Sequence, residues 1–166
     1  MLANVSNVRI RAIGANDASR FQSFVRHLSP RSRRFRFFSG IAELSASMLE
    51  RLVKQDDRRG LALVALSEQA GDAVIVAEAR CELNPAEGNA EFAIAVADEF
   101  QRRGLGTQLL STLVDYAAKR GVQRLFGEIL ADNDAMLALA RRLGFQIRTN
   151  DLDRKTVIAS IVPSPC

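Results

Sequence analysis

The sequence predicts an α/β fold: one mixed, mostly antiparallel sheet flanked by helices. Three observations carry this. The 166 residues are 48% hydrophobic and 25% charged, the balance of one globular domain over residues 1–166 that needs no staples to hold a core. Three apolar runs in the middle of the chain alternate with Gly- and Asn-containing turns, as in an antiparallel meander. The apolar period then changes, and helix, strand and helix follow one another, which demands a crossover connection.

In order along the chain, residues 5–13 form a first strand, with Val5, Val8, Ile10 and Ile13 apolar. Asn16 or Asp17 caps a helix whose stripe is Phe21, Phe24, Val25 and Leu28, and Ser29-Pro30 ends it. Residues 45–54 form a short helix carrying Met48, Leu49 and Leu52. Strands over 61–66 and 73–83 pair as a hairpin about Gly71-Asp72, and a strand over 90–96 follows the turn at Gly88. Residues 104–120 are helical, with Leu105, Leu109, Leu113 and Tyr116 on one face and Gly121 as the stop. A strand over 125–130, a helix over 134–143 ended by Gly144, and strands over 145–149 and 156–161 complete the chain. The predicted order is β-α-α-βββ-α-β-α-β-β.

Lys and Arg number 23 against 19 Asp and Glu, a net charge of +4 with a pI near 9.7. Such a balance favours anionic partners without choosing among nucleic acid, phosphorylated cofactors, acidic proteins and membrane surfaces. Cys81 and Cys166 are too few for a disulfide framework and read as reduced thiols. His27, the single histidine, excludes a metal site of several histidines. No apolar run approaches the length of a membrane span, and no targeting segment is visible at Met1-Leu2-Ala3-Asn4. The expectation is a cytoplasmic protein without metal or membrane partner.

The sharpest chemical signal is Gln101-Arg102-Arg103-Gly104-Leu105-Gly106-Thr107, between a strand and a helix. Glycines at a helix start allow close backbone approach. The free N–H groups of the first turn, with the positive end of the helix dipole, make an anion site, and a diphosphate is its natural guest. A glycine-softened turn with solvated arginines is the plain alternative. Gly-Lys-Ser/Thr is absent, and the dinucleotide fingerprint would need glycine at Leu109.

Gln101-x-x-Gly104-x-Gly106 after a strand resembles motif A of the GNAT superfamily of N-acetyltransferases. The resemblance continues through Asn133, Met136, Leu139 and Leu143-Gly144-Phe145, and Ile94-Ala95-Val96 matches the family's splayed fourth strand. The segments Ser29–Phe38 and Ala90-Glu91-Phe92-Ala93 are similar to the acetyltransferase domain of bacterial Pat-type protein lysine acetyltransferases. Those enzymes often carry a large synthetase-like domain, for which this chain has no room. The resemblance implies acetyl-CoA as donor and transfer of acetyl to a primary amine, with a protein lysine as one acceptor, by direct attack in a ternary complex. It implies that the backbone of Ile94, Ala95 and Val96 runs beside the pantetheine arm. It also implies that the N–H groups of Arg102, Arg103, Gly104, Leu105, Gly106 and Thr107 hold the diphosphate and that Asn133 binds the pantetheine. Asn133 is equally suited to cap the helix that begins at Asp134. Where the family often has a tyrosine acid, this chain has Ala140, so CoA would leave as thiolate or take a proton from water. Tyr116, the only tyrosine, reads as core.

A lysine amine, with a pKa near 10.4, must lose a proton before it attacks a thioester. Glu91 and Glu128 are the candidate bases, and the Pat-type resemblance favours Glu91. Glu91 shares a strand face with Ala93 and Ala95, opposite Phe92, and either face can be the cleft. Arg31, Arg33, Arg34 and Arg36 interleave with Phe35, Phe37 and Phe38. That pattern suits a half-buried segment bordering the acceptor better than a nucleic-acid surface, so no nucleic-acid partner is expected. A small-molecule amine acetyltransferase and a catalytically silent acyl-CoA sensor remain open, as does a homodimer.

Overall fold

The computed structural model of the chain describes residues 7–54 and 56–164. Its elements, in order, are β1 (Val8–Ala12), α1 (Ala18–His27), α2 (Pro30–Phe37), α3 (Ala46–Val53), β2 (Gly60–Gln69), β3 (Asp72–Asn84), β4 (Asn89–Val96), α4 (Leu105–Lys119), β5 (Arg124–Leu130), α5 (Asp134–Arg142), β6 (Gln146–Thr149) and β7 (Thr156–Ile161). The strands form one sheet in the order β1-β2-β3-β4-β5-β7-β6. Every neighbouring pair is antiparallel except β4–β5, which is parallel. The mixed, mostly antiparallel sheet follows the sequence closely. Val5, at the head of the predicted first strand, and Cys166 lie outside the described residues.

Local chemistry explains the elements. Ala70 and Gly71 both have positive φ (50° and 88°), the conformation a two-residue hairpin needs to match strand twist. α4 starts at Gly104 in the left-handed region and stops at Gly121, also left-handed. Asp17 does not cap α1 with its side chain. It accepts from the Gly14 N–H at 2.9 Å and pairs with Arg11 at 2.6 Å, closing a 3-10 turn ahead of the helix.

One helix escapes the sequence reading. Ser29-Pro30 does end α1, but it also begins α2: the Ser29 side chain accepts from the Ser32 N–H at 3.1 Å, and Pro30 stands in the first turn. The Arg–Phe segment is therefore a helix with no fully buried residue, not an extended stretch. Its tertiary partners hold it, because its own sequence has no apolar stripe to bury.

Two cores sit on the two faces of the sheet. Leu63 and Ala65 of β2 and Ala79, Ala90 and Phe92 pack with α4 and α5, through Leu105, Leu109, Leu113, Leu137 and Ala140. Ala62, Val64 and Leu66 of β2, with Ile75 and Ala95, pack under α1 and α3. Glu91, Ala93 and Ala95 share a strand face, so the alternation settles what the sequence left open: Glu91 faces the side of α1, α2 and α3.

Candidate active site

The two halves of the sheet part beside β4. Its pairing with β5 runs only from Asn89↔Arg124 to Glu91↔Phe126. The splay thus begins at Phe92, ahead of the Ile94-Ala95-Val96 segment matched to the family's splayed strand. The Phe92 ring lies against Gly127 of β5, where a Cβ would come within 2.5 Å of it, and meets Phe145 edge-on at 5.3 Å. Glycine at 127 is what admits this ring. Beyond it, Ala97 donates its N–H to the Val76 carbonyl at 2.8 Å. By strand alternation, the backbone groups of Ile94 and Val96 point the other way, into the gap, while those of Ala95 point at β3. The Val96 carbonyl is occupied by Gln101 Nε2 at 3.0 Å. The N–H of Val96 and both backbone groups of Ile94 remain for a ligand.

At the end of β4 the loop turns sharply into α4. Arg102 (φ 60°) and Gly104 (φ 87°) are both left-handed. The first intrahelical bond is Gln108 N–H to the Gly104 carbonyl at 3.1 Å, so the N–H groups of Leu105, Gly106 and Thr107 have no partner among the described residues. The Leu105 side chain is buried in the core, so it offers backbone only. A Cβ on Gly106 would press on Leu139 Cδ2 at 3.3 Å. Arg103 stacks over Phe100 at 5.2 Å from its centroid, and Arg102 is exposed beside it. These donors and cations suit a diphosphate. Across the gap, Asn133 caps α5 through Oδ1, which accepts from the Met136 N–H at 3.2 Å. Its side-chain amide nitrogen has no partner among the described residues.

Between α2 and β4 lies a cleft of two lobes that share Arg36, Phe37, Glu91, Phe92 and Ala93. One, of about 250 Å³, is lined by Ile94, Asn133, Met136, Glu128 and Phe35 among others. The second, of about 230 Å³, runs under α3 toward Met48, Arg51 and Glu82. Glu91 and Glu128 therefore do meet in one cavity, but their surroundings differ. Glu128 Oε1 accepts from Thr156 Oγ1 at 2.7 Å and Asn150 Nδ2 at 3.1 Å. Glu91 has no hydrogen-bond or ion-pair partner among the described residues and stands opposite Glu82 on β3. Its pKa is raised, first by desolvation against the cleft wall, then by the like charges of Glu82 and Glu128, with Arg36 opposing.

α2 roofs the cleft and is tied at both ends. Asp98 accepts from the Ser29 N–H at 3.0 Å, Ser29 Oγ at 2.8 Å and Ser32 Oγ at 2.9 Å. Arg34 pairs with Asp132 at 2.9 Å, and Arg36 pairs with the buried Glu78. Arg36 and Phe37 belong to the segment expected to border the acceptor, and they do line the cleft, whereas Glu78, Arg80 and Glu82 were not foreseen as site residues. The pattern Ser29-Pro30-x-Ser32 was the signal that could have found the helix of Arg36 and Phe37.

The chain matches the family model described as "Acetyltransferase (GNAT) family" over residues 25–145. It belongs to the GNAT family. As a GNAT protein it is an acetyl-CoA-dependent acetyltransferase. It is 34% identical to an acetyltransferase of Pseudomonas aeruginosa over 152 residues, 92% of this chain and 81% of that relative. It is 48% identical to the Escherichia coli ribosomal protein bS18-alanine N-acetyltransferase over 58 residues, 35% of this chain and 39% of that one. The crystal structure of the GNAT domain of S. lividans PAT superposes with a TM-score of 0.85 at 27% identity, covering 97% of this chain and 93% of that domain.

Three side chains stand apart from the cleft in this GNAT chain. Ala140 is buried in the core and has no acid to offer. Tyr116 of α4 packs on the core, as the sequence suggests, and its hydroxyl has no partner among the described residues. Burial pushes the Cys81 thiol up to about 12, with Glu82 adding to it, so it is no nucleophile. No group of three His, Cys, Asp or Glu among the described residues is placed to hold a metal, and no described helix is long and apolar enough to cross a membrane.

Proposed function

We propose that this GNAT protein transfers acetyl from acetyl-CoA to a lysine amine of a protein, with Glu91 as the base. The observation that carries the reading is the end of β4–β5 pairing at Glu91↔Phe126. It puts an unpaired carboxylate at the apex of a gap whose β4 side bears free backbone groups. The N–H groups of Leu105, Gly106 and Thr107, with Arg102, Arg103 and Gly104 around them, hold the diphosphate. Ile94 hydrogen-bonds the pantetheine, which runs on past Val96, and the Asn133 amide nitrogen reaches it from α5. Ala95 contributes no backbone group, because its own point at β3.

The amine reaches the thioester from the α2 side, in a ternary complex. Glu91 takes its proton, directly or through one water, and the amine nitrogen attacks the carbonyl carbon. The new C–N bond forms, and the C–S bond breaks. The Val96 N–H faces the carbonyl oxygen as charge builds there. With no acid at Ala140, the departing sulfur leaves as thiolate or is protonated by water. A raised pKa suits Glu91 to this task, since a base works best with a pKa near the working pH. Glu128, already held by Thr156 and Asn150, supports its field. The similarity to the ribosomal protein bS18-alanine N-acetyltransferase, whose acceptor is a protein amine, and the Pat-type resemblance of Ser29–Phe38 support a protein acceptor.

Mass spectrometry of a cell lysate incubated with the protein and labelled acetyl-CoA tests this. Label on protein lysines is the expected result. Label confined to small amines would move the acceptor class, and unconsumed acetyl-CoA would make the chain a sensor.

A further inference from the structure

The cations nearest the floor of the cleft, Arg36 and Arg80, converge on one carboxylate that the transfer step does not use. Glu78 is fully buried in the middle of β3, opposite Val64 on one side and Ala95 on the other. An apolar residue would fill that place at less cost, since a buried charge must be matched. Glu78 is matched twice: Oε1 accepts from Arg36 Nε of α2, and Oε2 from Arg80 Nε at 3.1 Å. Arg80 also donates to the Leu52 carbonyl of α3 at 3.3 Å. One buried acid thus ties β3, α2 and α3 together.

The trio adjoins the base. On the helix-facing side of β3, Glu78, Arg80 and Glu82 alternate in sign, and they lie opposite Ala95, Ala93 and Glu91 of β4. The charged groups around Glu91 are Glu82 and Arg80 from β3, Glu128 from β5, Arg36 from α2 and Arg51 from α3. Burial favours a neutral Glu78, but the two arginines outweigh it and keep it ionised.

We propose that Glu78 is a positioning residue of the acceptor cleft: it docks α2 and offsets part of the charge of Arg36 and Arg80, so that Glu91 meets the amine beside cations already held by a carboxylate. This rests on Glu91 as the base. Without Glu78, two unmatched arginines would favour the Glu91 carboxylate and weaken it as a proton acceptor.

The test is a carbon-13 NMR titration of the Glu91 carboxyl in the full chain, assigned with Glu91→Gln. Glu78→Gln should lower its midpoint by about half a pH unit to one, the effect of one unmatched charge a few side chains away. Glu78→Asp keeps the charge and should stay near wild type. Arg36→Met removes a cation, leaves Glu78 paired with Arg80, and should raise the midpoint by a similar amount. If Glu78→Gln does not fold, Arg36→Met carries the test, because it lies on a helix without fully buried residues. A midpoint unmoved in Arg36→Met, or in a folded Glu78→Gln, overturns the proposal. Acetyl-CoA turnover of Glu91→Gln is measured alongside. Full activity there removes Glu91 as the base, and with it the catalytic part of the proposal, whatever the midpoints do.

Discussion

The loop after β4 and the roof above it meet at one cleft but are built by different means. Residues 101–107 offer backbone: three N–H groups without a partner among the described residues, two left-handed residues and a glycine where a Cβ would press on Leu139. α2 offers side chains, and each is placed by a group far away in sequence, namely Asp98, Asp132 and the buried Glu78. The first kind of site depends on local conformation, on its glycines and on the anchors Gln101 and Leu105, and its ligand groups are backbone. The second depends on matched charges, so each of its members is sensitive to its partner. The difference implies that cofactor affinity and turnover can be damaged separately.

The strongest break comes at Glu91. Glu91→Gln should cut kcat by about 10²–10⁴-fold, the span for one positioned base. Calorimetry should find CoA affinity unchanged, since Glu91 belongs to the acceptor side. Glu128→Gln should do less. A large defect in Glu128→Gln with a near-normal Glu91→Gln would reverse the two roles.

The opposite signature should come from the loop. Gly104→Val forces a branched side chain into the left-handed region, a cost of about 1–2 kcal/mol that CoA binding must then meet. Affinity should fall about tenfold, with kcat at saturating acetyl-CoA retained. The fold should survive, because a Cβ there meets nothing within 4 Å.

The wedge between the two sheet halves sits between these cases. Gly127→Ala puts a Cβ into the Phe92 ring and should destabilise by about 1–3 kcal/mol, read as a lower melting temperature. An unchanged Tm would show that the ring can leave the gap.

A smaller effect concerns pH. Desolvation first, then Glu82 and Glu128, raise the Glu91 pKa, and the base works only when deprotonated. Turnover should therefore climb as pH rises through the Glu91 midpoint. Glu82→Gln removes one of the repelling charges, so the acid limb of the pH–rate profile should move to lower pH.

The smallest effect belongs to Tyr116. Tyr116→Phe should leave turnover within a few-fold. Its stability should match or slightly exceed wild type, because the hydroxyl removed has no hydrogen-bond partner. A 100-fold loss of activity would instead make Tyr116 an acid.

Much of this was legible along the chain. Strands β2, β3 and β4 announce themselves by apolar runs between Gly-containing turns, and α4 by Leu105, Leu109 and Leu113 ahead of Gly121. α2 was not legible in the same way, since Arg and Phe alternate without an apolar face, and only the Ser29-Pro30 start hinted at a helix. The diphosphate loop could be read because its function is local: glycine φ angles and free N–H groups are set by neighbours in sequence. The choice of cleft face could not, because β4 reads the same from either side until helices cover the sheet.

By itself, then, the sequence determined the elements governed by short-range rules: the hairpins, the Asn133 cap of α5, and the glycine loop that opens α4. The tertiary structure alone decided that Glu91 looks toward α2 and α3, that Glu128 is held by Thr156 and Asn150, and that Glu78 gathers Arg36 and Arg80. Those pairings join residues far apart in the chain. A buried charge has no sequence pattern of its own, and the energy that fixes it comes from partners that only folding brings within reach.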